Sequence, residues 1–225
     1  MQDALNVYQD RRIETKGNFG VDIALQRADD LDQSAIQFLS QRSNPRALDA
    51  ASASGGQAIR MAVAGAHVIA LDMNDYSDIF KTLAKTAGVE DKCEFLTADL
   101  QTFSVSMQLG KFDAITVQRM IHYVTFKSAI AIVSDFARAL KDDGVLYISA
   151  SGIKSELGNG YLAKDDGIET RYGPLSTEMV KKHDINGFVC LYSEDDMAML
   201  LKAAGLRVKA LYSSPFGNVK AEAVK

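Results

Sequence analysis

The sequence predicts an α/β fold: a doubly wound, mostly parallel seven-stranded sheet with helices on both faces and a C-terminal antiparallel hairpin. Three observations carry this. Short apolar runs alternate with segments of helical period between residues 46 and 151. Asp49, Asp72 and Asp99 stand at the ends of the first three runs. Near the C-terminus, two alternating segments flank the turn-forming stretch "SSPFG".

Residues 22–41 place Leu31, Ala35, Ile36, Phe38 and Leu39 at helical spacing. "RALDA" (46–50) reads as a short buried strand, and in the "ASASGG" that follows no residue is larger than serine. Such a run lets backbone approach a ligand. Residues 56–64 read as a helix, "HVIALD" (67–72) as a strand, "YSDIFKTLAKTAG" (76–88) as a helix and "CEFLTAD" (93–99) as a strand. "FDAITVQ" (112–118) is the next strand; Phe126, Ile130, Val133, Ala137 and Leu140 then form an amphipathic stripe, and "VLYISAS" (145–151) follows Gly144. Residues 152–192 are rich in glycine and poor in periodicity, and read as a long insertion over one end of the sheet. "SEDD" (193–196) matches a capping pattern ahead of Met197, Leu200, Leu201 and Ala204, with Gly205 as the stop. "LRVKALY" (206–212) and "NVKAEAV" (218–224) alternate as the two strands of a hairpin, Val219, Ala221 and Ala223 facing away from Lys220 and Glu222. The expected organisation is one domain over 1–225: an N-terminal helical cap (1–43), a core (44–151), the insertion (152–192), and a helix with closing hairpin (193–225).

Composition narrows the function classes. Apolar residues make up 47% and charged residues 24%, as in ordinary globular proteins. The formal net charge of −4 gives no footprint for an extended nucleic-acid surface. Cys93 and Cys190 read as reduced thiols of a cytoplasmic protein rather than as a disulfide scaffold. "MQDALNVYQDRR" has no apolar segment of the secretory kind, and no run approaches the roughly 20 residues that span a bilayer. No His/Cys cluster has metal-ligand spacing, so no metal is expected. Monomer and homodimer both stay open.

The order of these pieces, from roughly residue 44 to 213, resembles the class I S-adenosylmethionine-dependent methyltransferases. "ALDAASASGG" sits where that family has its first acid and glycine-rich turn, "HVIALDMN" and "CEFLTADL" where it has its second and third strands. "FDAITVQRMIHYV…ALKDDGVLYISASG" and "LYSEDDMAMLLKAAGLRVKALY" resemble its later elements. The resemblance implies S-adenosylmethionine as cofactor, bound outside the carboxyl ends of the strands. It implies Asp72 on the ribose hydroxyls, Asp99 on the adenine amine, Met73 and Leu100 on the ring faces, Asp49 toward the ammonium, and Gln118 at the end of the fourth strand. The turn residues Ala51, Ser52, Ala53 and Gly55 would approach the cofactor, their N–H groups taking its carboxylate. The family pattern has glycine at Ala51 and Ala53, and only Gly55 matches it. A left-handed alanine costs roughly 1–2 kcal/mol; at negative φ it costs nothing.

Methyl transfer is an in-line displacement, and alignment supplies much of its rate. After strand four this chain reads "QRMIHYV", without the Asn/Asp-Pro-Pro-aromatic motif of base-modifying relatives, which favours a small-molecule acceptor. His122 and Tyr123 fall near the expected transfer point as catalytic candidates. Arg119 would hold an anionic acceptor; Tyr172 and His183 of the insertion, and Tyr8 if the N-terminal segment forms a lid, would line its pocket. Two other readings stay open. One is a cofactor-binding or vestigial protein without activity. The other is an NAD(P)-dependent oxidoreductase, since Ala51-x-Ala53-x-x-Gly56 is a degenerate GxGxxG. Asp49, two residues before the small run, and the closing hairpin argue against the second.

Overall fold

A computed structural model describes residues 8–225. The strands are β1 (Arg46–Ala50), β2 (His67–Asp72), β3 (Cys93–Thr97), β4 (Phe112–Gln118), β5 (Leu140–Ala150), β6 (Gly173–Pro174), β7 (Phe188–Val189), β8 (Arg207–Ser213) and β9 (Val219–Val224). The helices are α1 (Asp30–Ser40), α2 (Gly56–Val63), α3 (Ser77–Ala87), α4 (Val105–Gln108), α5 (Phe126–Ala139), α6 (Thr177–His183) and α7 (Glu194–Ala203). Seven strands form one sheet in the order β3-β2-β1-β4-β5-β9-β8; β9 alone runs against the other six. The doubly wound architecture and the closing hairpin are as the sequence predicts.

Side-chain alternation sorts the sheet into two apolar faces. Leu48, Ile69, Leu71, Ile115, Val117, Leu146 and Ile148 pack under α5 and α7, against Ile132, Val133, Phe136, Met197 and Leu200. Ala47, Val68, Ala70, Ala114, Val145 and Tyr147 pack under α1, α2 and α3, against Leu31, Leu39, Met61 and Phe80. Asp49 and Asp72 follow Ala47 and Ala70 by period two, so they belong to this second face at the carboxyl ends of β1 and β2. The strand order reverses between β1 and β4, which opens a crevice there.

Three elements depart from the sequence expectation. The first helix begins at Asp30, not near residue 22, because Asp29 caps it: the Asp29 carboxylate accepts from Asp32 N (3.0 Å) and Asp32 returns the bond to Asp29 N (3.0 Å). Lys220 does not face water. It is 4% exposed, with its ammonium 2.5 Å from Asp29 and also on Asp30, so the hairpin is clamped to the α1 N-terminus. The insertion has a small core of its own, with Leu157, Tyr161, Leu175, Met179, Ile185, Val189 and Leu191 around the β6–β7 ladder. Arg171 ties it to α7 through a buried pair with Asp196 at 2.5 Å. No helix among the described residues is long and apolar enough to cross a membrane.

The segment before α1 lies across the start of α2. Arg60 donates to Ala24 O (2.5 Å) and Arg27 O (3.2 Å), and a Cβ on Gly56 would strike the Ala24 carbonyl. Gly56 therefore exists for close approach of two backbones. Gly56→Ala is expected to lower unfolding stability by about 1–3 kcal/mol in urea denaturation. Gly167→Ala, where nothing stands near the new methyl, should stay within about 0.5 kcal/mol of the parent.

Candidate active site

A cavity of about 800 Å³ opens at the carboxyl ends of β1, β2 and β4. Residues of the N-terminal segment, among them Lys16, Phe19, Asp22 and Arg27, wall one side of it. The hairpin tip, with Pro215, Phe216 and Asn218, and the insertion, with Ser155, Glu156 and His183, wall another.

The turn after β1 is left-handed at both alanines: φ is 56° at Ala51, 47° at Ala53 and 83° at Gly55. The torsional cost raised by the sequence is therefore present twice, at the wall of the cavity. Ala51, Ser52 and Ala53 line the hollow; Gly55 does not, and its missing side chain makes room for Phe80 instead. The expectation that this turn's N–H groups wait for a ligand carboxylate is corrected. Ser52 N donates to Leu71 O (3.0 Å), Ala53 N to Asp72 (2.9 Å), Ser54 N to Asp22 (3.1 Å) and Gly55 N to Ser52 O (2.9 Å). Two of the chain's own acids and two of its carbonyls already take these four N–H groups. Asp22 was not singled out in the sequence, because only the fold brings it within reach of Ser54.

Asp49 lines the cavity but is 5% exposed; one carboxyl oxygen accepts from Thr116 Oγ1 (2.8 Å) and the other from Ala58 N (3.0 Å). Burial pushes its pKa up to about 7, against the pull of the Thr116 hydrogen bond. Thr116 is legible only from register, as the β4 partner of Asp49. Asp72 accepts from Ala53 N on one oxygen and from Asn74 N (2.9 Å) on the other; burial raises its pKa. Each oxygen keeps capacity for a further donor. Asp99 accepts from Gln101 N (2.9 Å), and Leu100 and the exposed Met73 stand with it on the same cavity.

At the end of β4 the residues are more committed. Gln118 donates to Asp29 (3.2 Å) and to Asp32, and accepts from Ser149 Oγ (2.9 Å), so its amide braces β4, β5 and α1. Arg119 is left-handed at φ 51°, and its N–H is shared by Ser149 O (2.9 Å) and Oγ (3.1 Å). His122 is 1% exposed; Ser151 N donates to Nδ1 (3.4 Å) and Ser151 Oγ lies 3.4 Å from Nε2. Burial, and then the Arg119 charge, push its pKa down to about 3, which makes it a poor proton acceptor at neutral pH. Tyr123 donates its hydroxyl to Phe19 O (2.6 Å), and burial raises its pKa. Its visible work is to anchor the N-terminal segment.

Of the pocket candidates, His183 lines the cavity and meets Glu156 at 3.1 Å, and Tyr8 lines it at the rim, edge-on to Phe216. Tyr172 does not line it. Its hydroxyl donates to Tyr123 O (3.2 Å) and its ring packs on Phe188, which places it behind the wall. Among the described residues no group of three or more His, Cys, Asp or Glu stands ready for a metal ion.

Residues 47–144 match the family described as a methyltransferase domain. No curated protein matches the sequence. Among solved structures, an O-methyltransferase family protein from Burkholderia thailandensis superposes with a TM-score of 0.61 at 16% identity, covering 87% of this chain and 56% of the other. This chain thus spans little more than half of that protein. A SAM-dependent methyltransferase from Methanosarcina mazei gives 0.64 at 19% identity, covering 82% and 93%. The 1,6-didemethyltoxoflavin-N1-methyltransferase of Burkholderia thailandensis, solved with 1,6-didemethyltoxoflavin and S-adenosylhomocysteine, gives 0.61 at 16%, covering 87% and 78%. At these identities the likeness is one of fold.

Ala51→Gly and Ala53→Gly remove a left-handed Cβ, and each should raise stability by about 1 kcal/mol in chemical denaturation. The His122 ring carries its own pH signature. Its native pKa of about 3 lies below the ordinary 6.5, so as pH falls the unfolded chain takes the proton first. The stability its neutral ring contributes is full above the ordinary value and declines as pH falls toward the native one. His122→Gln, which cannot ionise, should flatten the fall in unfolding midpoint between about pH 6.5 and pH 5.

Proposed function

We propose that the chain, whose residues 47–144 match the methyltransferase-domain family, transfers a methyl group from S-adenosylmethionine to a small-molecule acceptor. The observation that carries this reading is the pair Asp72 and Asp99, at the tips of neighbouring strands β2 and β3, on the wall of one 800 Å³ cavity at the sheet's switch point. A hollow of this size lies within the roughly 300–1,000 Å³ of small-molecule sites.

The donor set suits the cofactor's nucleoside. Asp72 has acceptor capacity for the ribose hydroxyls and Asp99 for the adenine amine; Met73 and Leu100 offer apolar surface to the ring. Asp49, near neutrality in its buried setting, gains its charge when an ammonium approaches, because an opposite charge favours the ionised form. When bound, S-adenosylmethionine supplies an electrophilic methyl: an acceptor lone pair takes the methyl carbon, the C–S electron pair stays on sulfur, and S-adenosylhomocysteine leaves. The chain's part is to hold, align and dry the reactants. The N-terminal segment and the 152–192 insertion close the acceptor end, with Tyr8, Arg119 and His183 on its walls. His122 and Tyr123 shape that end rather than move protons: the first stays neutral, and the second spends its hydroxyl on Phe19. Free thiols at Cys93 and Cys190 fit a reducing, cytoplasmic setting.

A ligand that binds only the native state raises its melting point. S-adenosylhomocysteine is expected to raise the Tm of the full chain while NADH leaves it unchanged, and Asp72→Ala should abolish the shift. A shift with NADH alone would select the oxidoreductase reading. No shift with either would leave a fold without its cofactor.

A further inference from the structure

Apart from Arg119, the lysine and arginine side chains on the cavity wall already have partners, Lys16 on the Asp75 carbonyl and over the Tyr76 ring. Lys220 meets Asp29 and Asp30, Arg27 meets Asp10 at 2.9 Å, and Glu156 meets Lys182 and His183. Arg119 differs: among the described residues its guanidinium has no carboxylate or carbonyl partner. Its backbone is held left-handed by the two bonds to Ser149, a conformation that clusters at ligand sites in non-glycine residues. A second observation is independent of it. Ser155 lines the same cavity at 6% exposure, and its buried hydroxyl has no hydrogen-bond partner. Such a donor is completed by an acceptor that arrives from outside.

We propose that the methyl acceptor is a small organic oxyanion, held through its charged oxygen by the Arg119 guanidinium. This rests on the methyltransferase reading above. A sulfonium and an unpaired guanidinium facing one hollow repel each other, and an anion between them turns that repulsion into two attractions. An amine acceptor would instead become cationic during transfer, beside Arg119. Methylation of an oxyanion balances without a base: the oxygen lone pair forms the O–C bond, the C–S pair withdraws to sulfur, and both charges vanish with no proton to remove. That agrees with the geometry, in which the Tyr123 hydroxyl is tied to Phe19 and both His122 nitrogens face Ser151.

The test is isothermal titration of the full chain, saturated with S-adenosylhomocysteine, with benzoate, benzamide and benzylamine, which share a ring and differ in charge. Benzoate is expected to bind about tenfold or more tighter than either of the others. Arg119→Gln should erase that preference and Arg119→Lys keep part of it, with S-adenosylhomocysteine affinity within about twofold of the parent in both. Equal binding of the three ligands, no binding of benzoate, or a preference that survives Arg119→Gln would overturn the inference. So would a large loss of S-adenosylhomocysteine affinity in Arg119→Gln, since the guanidinium would then serve the cofactor's carboxylate. The charge preference is read on the parent protein and does not depend on a variant folding. If S-adenosylhomocysteine itself fails to bind the parent, the methyltransferase reading falls and takes this inference with it; if it binds and charge is ignored, only this inference falls.

Discussion

Three carboxylates converge on the turn after β1 and on the first turn of α2. Asp72 takes the N–H of Ala53, Asp22 that of Ser54, and Asp49 that of Ala58. Buried N–H groups demand partners, and here the partners come from β2, from the N-terminal segment and from β1. That one constraint fixes the tight turn, seats α2 on the sheet and draws residues 22–25 across the crevice. It also sets the charge of the hollow, because all three acids line it.

The same arrangement explains a local conflict. Two alanines sit in torsions that favour glycine, at the point where the backbone comes nearest to the cavity. The small side chains keep the space open while the torsions are strained, and the carboxylate bonds hold the strain in place. At the far side, Arg119 repeats the pattern, with Ser149 supplying the clamp. Strained corners thus stand on two sides of the hollow.

Much of the fold was legible because the central strands are buried on both faces. "RALDA", "HVIALD" and "FDAITVQ" read as continuous apolar runs bounded by turn formers, and they match β1, β2 and β4 residue for residue. What was hidden depended on contacts between distant elements. The start of α1 is set by an aspartate cap inside a stretch of acids, Lys220 is buried by helix-terminal aspartates far away in sequence, and the insertion builds its core from scattered side chains with no period. In the site, positions at strand tips were readable because the fold class places them, and most of them line the cavity. Gly55 was drawn toward it by the family pattern and Tyr172 by its place in the insertion, and packing gave them other neighbours. Asp22 and Ser155 left no mark in the sequence at all.

The central claim is that a nucleoside is held along the tips of β1, β2 and β3. Hydrogen–deuterium exchange of the full chain with and without S-adenosylhomocysteine tests it most directly. The account predicts slower exchange in residues 51–58, 72–74 and 98–101, with the insertion's β6–β7 ladder unchanged. Protection confined to other segments, with these amides exchanging as before at saturating ligand, would contradict it.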